Sequence, residues 1–119
     1  MTHTNLWTTT GNHTSSAATG PVYGQQGYTD RYGYIESSTG QPGMTSYITT
    51  PGLSFGAQGG YLQFYYHMYG QTIGTLRVEQ CDATMACTQL FSQSGESHTH
   101  VQANWTRAAY PLNANTKFV

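Results

Sequence analysis

Residues 61–75 read YLQFYYHMYGQTIGT, and this stretch decides the fold. Leu62, Phe64, Tyr66 and Met68 fall on one side of an extended chain. Tyr61, Gln63, Tyr65, His67 and Tyr69 fall on the other. Successive side chains of a strand face opposite sides, so this alternation predicts a long β-strand. Gly70 and Gly74 bracket a turn, and TLRVEQ (residues 75–80) resumes the alternation.

Working outward, a short strand is expected around Leu6-Trp7-Thr8. Residues 11–31, rich in Gly, Ser, Thr, Gln and Tyr, read as a long surface loop. Further strands are expected at Tyr32–Ser37, Met44–Thr49, Thr75–Gln80, Thr88–Ser94 and Gln102–Ala109, and Lys117-Phe118-Val119 opens another. STGQPG (38–43) and Pro51-Gly52 supply turns. About seven strands with turn signals every eight to twelve residues predict a single all-β domain over residues 1–119, a sandwich or barrel.

Composition narrows the setting. Charged residues make up 8% of the 119, against about a quarter in an average soluble protein. The surface is therefore a neutral Thr/Ser/Tyr one, or one covered by glycan, or one covered by neighbouring subunits. Four basic residues and a net charge of -1 exclude a nucleic-acid footprint. No apolar run approaches a membrane span. Residues 1–20 lack the basic and apolar regions of a signal peptide.

Cys81 and Cys87 enclose DATMA between two strand-like segments. A disulfide here would staple a hairpin at its tip, and low charge with abundant Thr suggests an oxidising compartment. The alternative is a pair of free thiols.

The sequence resembles the MAM domain, an extracellular β-sandwich module of cell-surface proteins. Phe64-Tyr65-Tyr66-His67-Met68-Tyr69-Gly70 and Gly74-Thr75-Leu76 carry the likeness in order and spacing. Leu90-Phe91-Ser92-Gln93-Ser94-Gly95 and Asn104-Trp105-Thr106-Arg107-Ala108 extend it. So do Trp7, Gly20-Pro21 and Tyr32-Gly33-Tyr34-Ile35-Glu36-Ser37. The resemblance implies a jelly-roll-like antiparallel sandwich and a non-enzymatic adhesion or assembly role.

There are departures. Tyr61 stands where many members carry a cysteine. Val22-Tyr23-Gly24 replaces an Asp-His-Thr, which weakens the case for a family cation site. The match starts near Trp7 and stops at Val119, short of the family's outer strands. An incomplete sandwich would expose backbone groups that a neighbour's strand could pair. Residues 1–10, with Leu6 and Trp7, are the candidate donor, and Phe118-Val119 the second. Head-to-tail donation would build an open filament. The alternative is that the chain is a piece of a longer cell-surface protein.

Other candidates are weaker. Asn12-His13-Thr14 and Asn104-Trp105-Thr106 are N-glycosylation sequons. Asp30 and Glu36 are the candidate ligands for a bound calcium, though five acids in the whole chain make a tight cage improbable. His98 and His100 share a strand spacing that suits a metal but read better as polar loop residues. Tyr61, Tyr65, His67 and Tyr69, with Tyr32 and Tyr34 on a neighbouring strand, are expected to form an aromatic stripe. No nucleophile elbow, triad motif or paired carboxylates appear, so no enzymatic activity is expected.

The reading is therefore a non-enzymatic extracellular or cell-surface module that self-associates, without a cofactor. The alternative is a carbohydrate-binding sandwich that uses its surface tyrosines.

Overall fold

The computed structural model describes residues 6–119. Its strands are β1 (Trp7–Thr10), β2 (Tyr32–Ile35), β3 (Gly60–Tyr66), β4 (Thr75–Cys81), β5 (Cys87–Ser94) and β6 (Thr106–Leu112). They form three antiparallel pairs, β1 with β2, β3 with β6 and β4 with β5. The fold is all-β, with six strands among the described residues rather than about seven.

The alternation that marks β3 sets the sandwich. Leu62, Phe64 and Tyr66 are half-buried, whereas Tyr61 and Gln63 are exposed. The Phe64 ring meets Phe91 of β5 edge-on at 5.4 Å and stacks on Tyr110 of β6 at 6.5 Å. Tyr66 lies 5.1 Å from Phe91. These contacts hold the β3–β6 pair against the β4–β5 pair. In β5 the register shifts where Val78 pairs with Phe91 and Glu79 with Gln89, which leaves Leu90 unpaired as a bulge. The bulge lets adjacent Leu90 and Phe91 both be half-buried.

β3 ends at Tyr66, three residues before the alternating pattern does. The reason is local. The Met68 amide donates to His98 Nδ1 at 2.9 Å, and the Met68 carbonyl accepts from Ser97 and His98 amides. These bonds replace the ladder. β6 likewise begins at Thr106 rather than Gln102, because residues 100–103 form a turn closed by the Ala103 amide on the His100 carbonyl.

The strand expected at Met44–Thr49 is not formed. That segment runs irregularly beside β1, where Ser46 accepts from the Leu6 amide and the Trp7 indole. Lys117-Phe118-Val119 forms a bridge rather than a ladder strand. Phe118 exchanges backbone bonds with Cys81, and Val119 accepts from the Thr50 amide. Buried Gln80 anchors the approach, its Oε1 accepting from the Asn113 amide and the Thr116 hydroxyl.

The loop over residues 11–31 is tied down at Gly20, whose amide donates to the Tyr69 carbonyl. Gly20 has φ +67°, and a Cβ there would come within 2.6 Å of Thr14. Only glycine meets both conditions. The Val22 amide reaches the Val101 carbonyl, which pins the loop to the turn before β6.

The sandwich is thin. Its extents are 45 × 35 × 22 Å and its radius of gyration is 15.3 Å, against about 13.5 Å for a compact chain of this length. No large described side chain is fully buried.

The Cys81 and Cys87 sulfurs are bonded at the tip of the β4–β5 hairpin. Asp82 caps the enclosed turn, accepting from the Thr84 amide and hydroxyl and the Ala86 amide. Replacing both cysteines with alanine is expected to lower unfolding stability by about 2 kcal/mol, the chain-entropy cost of so short a loop. Urea denaturation, read as a fall in midpoint at constant slope, measures it. Phe91→Ala is expected to cost about 2–4 kcal/mol, because it removes the ring on which three others converge.

Candidate interaction site

His67 follows β3 and does not share the outward face of Tyr61 and Tyr65. Both its ring nitrogens are buried without a hydrogen-bond partner among the described residues. The ring stacks on His98 at 4.4 Å with planes 15° apart, and lies 5.6 Å from Trp105. Burial, and then the neighbouring His98, hold the His67 imidazole down at about pKa 4. The Ala103 backbone opposes this shift without reaching hydrogen-bonding geometry. His98 is buried rather than a polar loop residue. Burial lowers its pKa as well. Because Met68 donates to Nδ1, the proton sits on Nε2 and is shared with Thr106 Oγ1 at 3.0 Å. His100 is exposed and turns back to its own loop, with Nδ1 accepting from the Gln102 amide. The two loop histidines therefore do not converge.

The expected aromatic stripe divides into two groups. β2 pairs with β1, not with β3. Tyr32 is buried, its hydroxyl donating to the carbonyls of Asn12 and Pro21, and burial raises its pKa to about 12. Its ring meets Trp105 edge-on at 5.3 Å and Tyr34 at 6.1 Å. Tyr69 is half-buried against the 11–31 loop, through the Gly20 bond. Tyr61, at 83% exposure, and Tyr65, at 37%, remain on the outer face of β3.

Tyr65 forms one wall of a groove of about 340 Å³. Trp105 forms another, with its indole N–H turned away to the Tyr23 carbonyl. Gln25, Gln26, Asp30 and Arg31 supply the polar rim. Asp30 Oδ2 accepts from the Gln26 amide, and Arg31 donates to Thr9 Oγ1. Sequence reading singled out Tyr65 and Asp30 separately but not this groove, since its walls come from segments about 40 residues apart.

The remaining candidates are dispersed. Glu36 accepts from the Ser15 hydroxyl and from the Ser38 amide and hydroxyl. Desolvation raises its pKa, but these donors outweigh it and hold the carboxyl below the usual range. Asp30 and Glu36 join no third acidic, histidine or cysteine ligand among the described residues. Asn12 and Asn104 are both exposed. Their sequon hydroxyls are engaged, Thr14 with the Thr19 carbonyl and Thr106 with His98. Leu6 and Trp7 are held in their own chain by Ser46, and β1 pairs in register with β2. The Met1–Asn5 part of the expected donor lies outside the described residues. Phe118 and Val119 also pair in their own chain.

The model of the MAM domain family (meprin/A5/mu) matches residues 1–119. The chain belongs to the MAM family. MAM domains are extracellular modules, generally non-catalytic, that mediate protein–protein interactions. The disulfide of this MAM domain is consistent with that setting. No solved structure matches the chain.

The buried imidazole pair makes stability depend on pH. Above about pH 6.5 His67 is neutral in both the folded and unfolded chain. As the pH falls toward 4, only the unfolded chain takes up the proton, so stability is lost across that window. The expected loss is on the order of 2 kcal/mol. Urea midpoints at pH 7 and pH 5 should show it, and His67→Phe should flatten the difference.

Proposed function

We propose that this MAM domain is an extracellular adhesion and assembly module that associates with further copies of itself through an open strand edge. The observation that carries this reading is the outer edge of β5. Cys87–Ser94 reads CTQLFSQS, eight residues without a charge or a proline. The backbone pairs with β4 on one side and with no described strand on the other. Natural edge strands are usually guarded by lysine, proline or an inward-pointing charge. Here the Leu90 bulge is the only such device on β5.

Three further features support self-association. The thin sandwich leaves its interior rings half-exposed. Surface charge is sparse and nearly balanced, so copies repel one another weakly. Met44, Tyr47, Ile48 and Tyr61 add large apolar surface outside the core. Repeated head-to-tail pairing would extend into a filament, while isologous β5–β5 pairing would stop at a dimer.

Light scattering after size exclusion, with negative-stain imaging of the same fractions, tests the reading. Species larger than one chain are expected at micromolar concentration. Gln89→Lys places a charge on the edge opposite Glu79, a favourable cross-strand pair within the monomer. It should shift the population to monomer by tenfold or more. A sharp monomer peak for the unaltered chain would overturn the proposal.

A further inference from the structure

We propose that the groove between Tyr65 and Trp105 is a binding subsite for a neutral saccharide.

The walls are aromatic and the rim is polar, which matches the two kinds of surface on a sugar ring. The C–H face of a pyranose packs on aromatic carbon, and its hydroxyls need both donors and acceptors. Trp105 offers ring rather than N–H, because its indole hydrogen is engaged with the Tyr23 carbonyl at 3.2 Å. Tyr65 is partly exposed on the outer face of β3, and its hydroxyl bonds to no described residue.

The rim groups are similarly uncommitted. The side-chain amides of Gln25 and Gln26 make no hydrogen bond among the described residues. Among the described residues, Asp30 engages Oδ2 alone, and Arg31 engages one nitrogen, at 3.1 Å from Thr9 Oγ1. Two amides, one carboxylate, one guanidinium and one phenol together present donors and acceptors in a small space. Arg107, opposite Tyr65, is bonded to Gln63. Among the lining residues a polyanion would find one cation, Arg31, opposed by Asp30, and a cation would find the reverse. A ligand of balanced hydroxyls satisfies all of them.

The site is also positioned on both sides. Tyr65 is fixed by the β3–β6 ladder, where it pairs with Arg107. Trp105 is held between Tyr32 and His67. Asp30 is set by its bond to the Gln26 amide, which closes the loop that carries the rim. A volume of about 340 Å³ lies at the low end of ligand sites, which run from about 300 to 1,000 Å³. It accommodates the end of a chain rather than a long oligomer.

The test is titration of the folded domain with maltotriose, cellotriose, chitotriose, lactose and mannotriose, followed by amide and indole chemical shifts. At least one sugar should move the Trp105 indole signal and the Tyr65 and Gln26 amides in a saturable way. Tyr65→Ala and Asp30→Asn should each weaken that binding at least tenfold. Tyr65→Phe, which keeps the ring, should weaken it less. Tyr61→Ala lies on the same strand outside the groove and should leave it unchanged. Thermal unfolding of each variant separates loss of the site from loss of the fold. The proposal is overturned if no neutral sugar moves these signals, if only a sulfated oligosaccharide binds, or if the groove variants bind as well as the unaltered chain. Self-association is read separately by light scattering, and the groove variants leave the β5 edge intact.

Discussion

The three strand pairs depend on one chain of ring contacts that passes through a neutral histidine pair. Tyr34 touches Tyr32, Tyr32 touches Trp105, and Trp105 touches His67. His67 stacks on His98, and His98 meets Tyr66 edge-on at 5.7 Å. Tyr66 then reaches Phe91 and Phe64 in the sandwich interior, and both of these rings meet Tyr110. Each such pair contributes about 0.5–1.5 kcal/mol beyond its buried area. Neither β1 nor β2 shares a described ladder with the other two pairs, so this route, the tied 11–31 loop and the segment from Ser46 to Thr50 connect them. A charge on either imidazole would interrupt the route at its narrowest point. Burial therefore has to keep both rings neutral, and the fold is coupled to pH for the same reason that it is continuous.

The same route makes the outer surface what it is. Trp105 is wedged between Tyr32 and His67 by inward contacts, which leaves a ring facing the groove. Tyr65 faces outward because its neighbours Phe64 and Tyr66 face inward. Residues that serve packing thus determine which residues are available for binding. The groove and the β5 edge lie on different elements, so a domain of this size has room for a partner on one and a small ligand at the other.

Much of the fold was legible because it rests on local periodicity. The alternation of 61–66 gave β3, the register of TLRVEQ gave β4, and the short Cys81–Cys87 spacing indicated a hairpin tip. Legibility failed where distant groups took over. His67 continues the alternating pattern in sequence, but the Met68 amide finds His98 thirty residues away and the strand stops. Met44–Thr49 has strand composition, but it meets β1 through the Ser46 hydroxyl and carbonyl, which accept from the Leu6 amide and the Trp7 indole, rather than through a backbone ladder. Tyr32 and Tyr34 looked like neighbours of β3 because they alternate, yet alternation does not say which strand is the partner. Of the groove, Tyr65 and Asp30 were legible one by one, but not their convergence on Trp105, since no pattern within one segment records a wall supplied by another.

The thinness of the sandwich follows from the same interactions. Aromatic rings that meet edge to face fill space with few atoms between layers, and the tyrosines among them must keep their hydroxyls near water or a carbonyl. Tyr32 solves this with the Asn12 and Pro21 carbonyls and is buried, whereas Tyr66 and Tyr110 remain half-exposed. A core built from Leu and Ile would close more tightly but would offer no polar tip at the surface. The cost of the aromatic core is incomplete burial. The corresponding gain is a surface on which ring faces, amides and hydroxyls alternate, suited to contact with other neutral surfaces. Such a surface carries little charge to prevent association, so the unguarded β5 edge has more influence here than it would on a highly charged domain.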